Sequence, residues 1–241
     1  MNDIKATKYQ QTRREIDLFL KERGKAAFLS PVAFRNWSIV FKDYLPSLSS
    51  GGLLDIGSAN ASYVGEIDTK FDPIVFFDLN YFPNVLNVRG DVHTLPFKSE
   101  SFQNILCLQL FEHLPKPHEA IKEVNRVLQK GGTLILSVPH LSRLHEIPHD
   151  YFRYTQYGLE QLLQEGPFEI IDLQVTGGLL LFLGHQYSLA FLLTFWKFTW
   201  LRRLTVWLNE NLIVKPILWI DSKISKNTRF PQGYVLMAKK K

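Results

Sequence analysis

At 241 residues, 46% of them hydrophobic and 21% charged, the chain is long enough to bury one large core and too apolar to be disordered. A single cysteine, Cys107, excludes a disulfide framework and a thiolate metal cluster, and its apolar surroundings predict a buried, inert thiol. The net charge of +5 is uneven: residues 197–241 hold ten Lys and Arg against Glu210 and Asp221, while the first 196 residues hold 18 basic and 21 acidic side chains.

The N-terminus, MNDIKATKYQQTRREID, is polar and lacks the apolar stretch of a secretory signal, so a cytoplasmic protein is expected. Residues 6–49 read as helices, with Arg13, Arg14, Glu15 and Asp17 interleaved with Ile16, Leu18 and Leu20. Ser30-Pro31 predicts a new helix start, because Pro fits the first helical turn. After Ser49-Ser50-Gly51-Gly52 the pattern changes to short apolar runs at 53–57, 74–79, 104–110, 133–139 and 168–175, alternating with helical stretches. Uninterrupted apolar runs suit strands buried on both faces, and the alternation predicts a parallel sheet. The stretch EAIKEVNRVLQKGG places Ala120, Ile121, Val124, Val127 and Leu128 at helical spacing, with Gly131-Gly132 as its stop. GYVLMAKKK closes the chain as a last strand. In such a doubly wound sheet, ligands bind beyond the carboxyl ends of the strands.

The residues at those ends carry chemistry. The first run leads into Leu54-Asp55-Ile56-Gly57-Ser58-Ala59-Asn60-Ala61, a turn of small residues that lets backbone approach a ligand. The dinucleotide fingerprint needs three glycines there, and only Gly57 is present. The second run ends at Asp78-Leu79, 21 residues after Gly57, where an acid can accept from both hydroxyls of a ribose. The plain alternative is a solvated Asp at a strand end. Then follow Gly90-Asp91-Val92-His93-Thr94-Leu95-Pro96-Phe97, Ser101-Phe102, Glu112-His113-Leu114-Pro115, Arg126-Val127-Leu128-Gln129-Lys130-Gly131-Gly132 and Ser137-Val138-Pro139. In this order, residues 53–139 resemble the binding domain of class I S-adenosylmethionine-dependent methyltransferases of the small-molecule, methyltransferase-11-like type.

The resemblance implies a Rossmann-like α/β fold. It would be a doubly wound, mainly parallel seven-stranded sheet, with N-terminal helices (1–50) and a helical insertion (176–228) before the last strand and basic tail (229–241), all in one domain. It also implies that Asp55, Gly57, Ser58 and Ala59 shape the turn around the methionine part of S-adenosylmethionine, and that Asp78 and Leu79 flank the ribose. Asp91 and Val92 would meet the adenine, and Leu108 and Gln109 would lie near the sulfonium. Ala59 and Ala61 stand where glycines are usual, and Gln103 replaces the usual Asp. A binding or scaffolding module without turnover, tethered by its insertion, is the alternative these departures keep open.

The segment His140-Leu141-Ser142-Arg143-Leu144-His145-Glu146-Ile147-Pro148-His149-Asp150-Tyr151-Phe152-Arg153-Tyr154-Thr155 resembles a further element of one branch of that family, expected to overhang the methyl group. His145 and His149 are the candidate general bases. Asp150 and Arg153 are expected to pair, and Thr155 to cap the helix TQYGLEQLLQEG. The spacing of the three loop histidines gives no standard ligand pair, so no metal is expected. His113 reads either as facing the site or as a supporting residue.

From Leu173 to Trp196 there is no formal charge, and four of the five tryptophans (Trp196, Trp200, Trp207, Trp219) lie between 196 and 219. Trp200, Leu201, Leu204, Trp207 and Leu208 share one helical face, opposite Arg202, Thr205 and Asn209. With a polar centre at Gly184-His185-Gln186-Tyr187-Ser188, the insertion reads as a helix or hairpin lying in a membrane interface, or else as a buried lid or dimer face. Arg202, Arg203, Lys215, Lys223, Lys226 and Arg229 would face anionic headgroups. The expected partners are therefore a small-molecule or lipid-linked acceptor and an anionic membrane surface, and no nucleic acid.

Overall fold

The computed structural model describes residues 8–21, 23, 29–61, 63–67, 69–82, 85, 87–224 and 230–241. In chain order its helices are α1 (Lys8–Lys21), α2 (Pro31–Ser38), α3 (Pro117–Val127), α4 (Gln156–Leu163), α5 (Leu179–Phe195), α6 (Arg202–Leu208) and α7 (Lys215–Ile224). Its strands are β1 (Gly51–Ile56), β2 (Phe71–Asp78), β3 (Val88–Arg89), β4 (Phe102–Leu108), β5 (Leu128–Pro139), β6 (Phe168–Val175) and β7 (Gly233–Lys240). The chain divides into two compact units, residues 38–176 with 231–241, and residues 1–37 with 177–230.

The first unit is built on one seven-stranded sheet of order β3-β2-β1-β4-β5-β7-β6. Strands β1 to β5 pair in parallel, and β7 runs antiparallel to both β5 and β6. The strand order reverses beside β1, so the carboxyl ends of β1 and β4 flank the crevice where such sheets bind ligands. β1 and β4 are buried along most of their length, as their apolar runs require. Helix α3 turns Ala120, Ile121, Val124 and Val127 into the core at the three-to-four residue spacing of one helical face. Cys107 is fully buried in that core.

Three expectations are corrected here, and one strand was missed. β6 lies at the sheet edge with Ile171 and Asp172 exposed, because an edge strand needs no second covered face. Helix α3 stops at Val127 rather than at Gly131-Gly132, because Leu128 already pairs with Phe102 in the sheet. The two-residue β3 was not legible, being too short to show a period. Lys240 is no solvated tail residue: it is buried, and its Nζ donates to the carbonyls of Asn125 and Leu128 at 2.8 Å, at the negative end of α3.

The second unit is helical. Ser30 Oγ accepts from the Ala33 N–H at 3.1 Å and caps α2, with Pro31 in the first turn as expected. Ile16, Leu20, Leu29, Leu189, Leu192, Trp196 and Val206 form its apolar core. α6 runs through a widened turn (Asn209–Val214) into α7. The amphipathic reading of residues 200–209 is inverted. Thr205 and Asn209 are 3% and 1% exposed, whereas Trp200, Leu204 and Trp207 are 79%, 49% and 54% exposed. The buried polar groups bond one another: Ser188 Oγ donates to Asn209 Oδ1 at 2.7 Å and approaches the Leu29 carbonyl at 2.6 Å, and Asn209 Nδ2 donates to that carbonyl at 3.3 Å. Arg202 does not reach outward as expected, because Glu15 at 3.0 Å and the Trp196 carbonyl at 3.1 Å hold it. Lys226 and Arg229 lie outside the described residues. Among the described residues no helix is long and apolar enough to cross a membrane.

Candidate functional site

The turn after β1 is fastened to β2. The N–H groups of Gly57 and Ser58 donate to the Phe77 carbonyl at 2.8 and 3.2 Å, and Ala59 N–H donates to Asp78 Oδ2 at 2.9 Å. Gly57 has φ +76°, and a Cβ there would press on Leu110 at 3.0 Å, so both conformation and space require glycine. Ala59 (φ +46°), Ala61 (φ +37°) and Gln109 (φ +52°) occupy the same left-handed region, which costs a non-glycine residue energy and collects at functional sites. A glycine would adopt these left-handed conformations without that cost.

Asp55 is fully buried; its Oδ2 accepts from the Tyr63 hydroxyl at 2.7 Å, while Oδ1 has no partner among the described residues. Burial pushes its pKa up to about 7 against the opposing pull of the Tyr63 hydrogen bond. Ser58 Oγ, also buried, likewise lacks a partner there. Asp78 accepts from Ala59 and, through Oδ1, from Asn80 N–H at 2.8 Å. A carboxylate has about four acceptor positions, which leaves capacity for two hydroxyls. Leu79, the next residue, is exposed at the strand end. Asp91 accepts from the His93 N–H at 2.9 Å, which holds its carboxyl below the usual range, and stays exposed beside buried Val92. Leu108 ends β4, and Gln109 N–H donates to the Ser137 carbonyl at 2.9 Å. The fold thus brings Asp55, Gly57, Ser58, Ala59, Asp78, Leu79, Leu108 and Gln109 to one edge of the sheet, with Asp91 and Val92 following β3 at that edge.

The structure also explains why the Leu95-Pro96-Phe97 and Arg126-Val127-Leu128 elements occur together. Arg126 donates to the carbonyls of Phe97 and Leu95 at 2.8 and 2.9 Å, and its partner Glu123 accepts from Leu95 N–H at 2.8 Å. Tyr63, Leu110 and Glu123 were not singled out from the sequence, and the role of Arg126 was not legible in its motif, because its carbonyl partners Leu95 and Phe97 are distant in the chain.

The loop between β5 and α4 is tied to the loop after β4. Tyr151 and Phe152 N–H groups donate to the Glu112 carbonyl at 2.8 and 3.2 Å. Arg153 pairs with Asp150 through two short bonds of 2.6 and 2.7 Å, as expected, and also holds the Arg143 carbonyl at 2.8 Å. Thr155 caps α4 by accepting from Gly158 N–H at 3.1 Å. His145 is half-buried: burial opposes its charge, but the carboxylates of Glu112 and Asp150 outweigh that and raise its pKa. His149 is exposed, with Nδ1 3.0 Å from the Tyr151 hydroxyl. His113 lies against His145 edge to face, ring centroids 4.8 Å apart. His140 packs near Tyr234 instead.

This geometry fits what comparisons find. Residues 54–136 match the model of a methyltransferase domain family. The match, over about a third of the chain, and the sheet together indicate a methyltransferase-type domain in residues 54–136, which implies S-adenosylmethionine as cofactor. Among curated relatives, a tRNA U34 carboxymethyltransferase of Nautilia profundicola is 30% identical over 139 residues, 52% of this chain and 45% of that protein. The chain thus spans about half the length of that relative. Among solved structures, the cyclase SpnF is 16% identical with a TM-score of 0.59, over 86% of this chain and 81% of its own. A Burkholderia thailandensis 1,6-didemethyltoxoflavin N1-methyltransferase with S-adenosylhomocysteine bound is 14% identical with a TM-score of 0.54, over 100% and 93%. A cyclase and a methyltransferase share this fold, so fold alone does not choose between activities. The residues fit the cofactor: the partnerless buried Asp55 Oδ1 and Ser58 Oγ suit the polar groups of its amino-acid end, and Asp78 suits a diol.

Proposed function

We propose that the protein transfers the methyl group of S-adenosylmethionine to an apolar or lipid-linked acceptor delivered at the cytoplasmic surface of a membrane. The observation that carries the transfer reading is the turn after β1, where strained backbone, two buried oxygens without a partner among the described residues and the fixed Asp78 meet at the switch in strand order. Asp55, Gly57, Ser58 and Ala59 would hold the amino-acid end, Asp78 and Leu79 the ribose, Asp91 and Val92 the adenine, and Leu108 and Gln109 would border the reacting methyl. The cofactor supplies a methyl on a sulfonium leaving group, so the protein's task is orientation and exclusion of water. Of the two histidines, His149 is exposed and so is the one open to an acceptor, whereas His145 is half-buried against Glu112 and Asp150.

The membrane part rests on the helical unit. Trp200, Trp207, Trp219, Leu204 and Leu212 are exposed, with Lys197, Arg203 and Lys223 exposed in the same segment. Tryptophan and basic side chains together suit the headgroup region of an anionic bilayer.

Two measurements test the proposal. Labelled S-adenosylmethionine with cell extract split into lipid, RNA and small-molecule fractions should label the lipid fraction. Label in RNA alone would replace the acceptor class by that of the curated relatives, and binding without any product would favour a module that does not turn over. Flotation with phosphatidylglycerol vesicles should carry the protein upward, phosphatidylcholine vesicles less so, and Trp200→Ala with Trp207→Ala should release it. A protein that ignores both kinds of vesicle refutes the membrane part.

A further inference from the structure

We propose that Glu112, His113 and His145 form a binding site for a divalent first-row metal ion. Glu112 and His113 follow β4, and His145 comes from the loop after β5, so the spacing of the loop histidines alone could not reveal the grouping. Glu112 is fully buried, and neither carboxylate oxygen has a hydrogen-bond partner among the described residues. A buried charged group left in that state is costly unless it is paired or coordinates a metal. The nearest ionisable groups are the two imidazoles, and the Arg153 guanidinium and Tyr154 hydroxyl also lie within its field. His113 Nε2 and His145 Nε2 each lie 3.7 Å from Glu112 Oε1, too far for hydrogen bonds.

The three ligand atoms lie within 4.8 Å of one another. Metal–nitrogen and metal–oxygen bonds of roughly 2.0–2.2 Å put tetrahedral ligand atoms about 3.4 Å apart, so an inward shift on the order of an ångström would let one ion reach all three. The rings are held for that purpose from behind. His113 Nδ1 is 2.6 Å from the His149 carbonyl, and His145 Nδ1 is 3.3 Å from the Arg143 carbonyl and 3.5 Å from Asp150 Oδ2. In His113, an Nδ1–H donating to the His149 carbonyl keeps the lone pair on Nε2, the atom that faces Glu112; His145 Nδ1 also has Arg153 Nη2 at 3.5 Å. Asp150 is itself held by Arg153. Two imidazoles and one carboxylate suit zinc, iron(II) or manganese rather than calcium, and leave positions for water or an oxygen ligand. This assignment is independent of the methyl-transfer reading, since it requires only the two loops.

The test uses the full chain without a histidine tag. Titration calorimetry with Zn2+ should give one ion per chain, and Co2+ should develop visible absorption bands of low coordination number. Glu112→Gln and His145→Gln should each weaken Zn2+ binding at least tenfold, with helix content by circular dichroism retained. His118→Gln, at an exposed histidine of the same unit, should leave binding unchanged. Absence of stoichiometric Zn2+ or Co2+ binding, or binding equal in the wild type and in His145→Gln, would overturn the site. Zinc binding without turnover, or the reverse, separates its fate from that of the methyltransferase proposal.

Discussion

In the sheet unit, core positions hold Leu54, Ile56, Ile105, Cys107, Leu134 and Leu136, and the buried acids Asp55, Asp78 and Glu112 stand at or just beyond the carboxyl ends of the strands. In the helical unit, Ser188, Thr205, Asn209 and Glu210 are buried, while Trp200, Trp207, Trp219, Leu204 and Leu212 face outward. The polar groups differ in kind as well as place. Ser188 and Asn209 bond each other, and Glu210 pairs with Lys215 at 2.8 Å, whereas Asp55 Oδ1, Ser58 Oγ and both Glu112 oxygens have no partner among the described residues. Satisfied buried polar groups fix an architecture. Unsatisfied ones at a strand edge are poised for a ligand. The exposed apolar face of the helical unit is equally uneconomical for an isolated protein, and it points to a second surface.

The largest expected effect contrasts two tryptophans of the helical unit. Trp196, 1% exposed and packed on Phe19, should destabilise that unit by about 3–5 kcal/mol on replacement by Ala. Trp200→Ala should leave thermal unfolding within about 0.5 kcal/mol of wild type, since it is 79% exposed. Equal losses in a melting experiment would mean that the outward tryptophans support the fold, and the contrast would collapse.

The next effect belongs to Asp55. Its folded pKa of about 7 lies above its unfolded value, so the unfolded chain releases its proton first as pH rises. Its contribution should therefore favour the fold below about pH 4 and fall away by a few kcal/mol up to about pH 7, then level off. Denaturant unfolding of Asp55→Asn across this range should lack that decline; an unchanged pH profile would show that Asp55 is not held neutral.

Asp78→Ala should weaken S-adenosylmethionine binding by roughly 1.5–3 kcal/mol, about ten- to a hundredfold or more, as two ribose hydroxyls lose a charged acceptor. Calorimetry giving unchanged affinity would remove Asp78 from the site and leave it only its bonds to Ala59 and Asn80.

The smallest effect concerns Ala59, exposed with φ +46°. Ala59→Gly relieves left-handed strain of about 1–2 kcal/mol, offset by about 0.4–1 kcal/mol of extra freedom in the unfolded chain. A gain in stability between zero and about 1.6 kcal/mol is expected by chemical denaturation, and a clear loss would mean that the methyl group packs usefully.

The amino-acid sequence by itself determined the strands β1, β2, β4, β5, β6 and β7, the helix start at Pro31, the Thr155 cap, the Asp150–Arg153 pair and the order of segments that resembles a methyltransferase domain. These depend on period, turn chemistry and contacts within a few residues, all written locally. Only the tertiary structure decided that Arg126 clamps Leu95 and Phe97, that Lys240 is buried against α3, and that Glu112 and His113 meet His145. It also decided which face of residues 200–209 turns inward. Amphipathic spacing identifies two faces of a helix, but the partners available to Asn209 select the buried one. Here the Leu29 carbonyl and Ser188 supply hydrogen bonds to Asn209 that let polar side chains fill the interior and leave tryptophan outside.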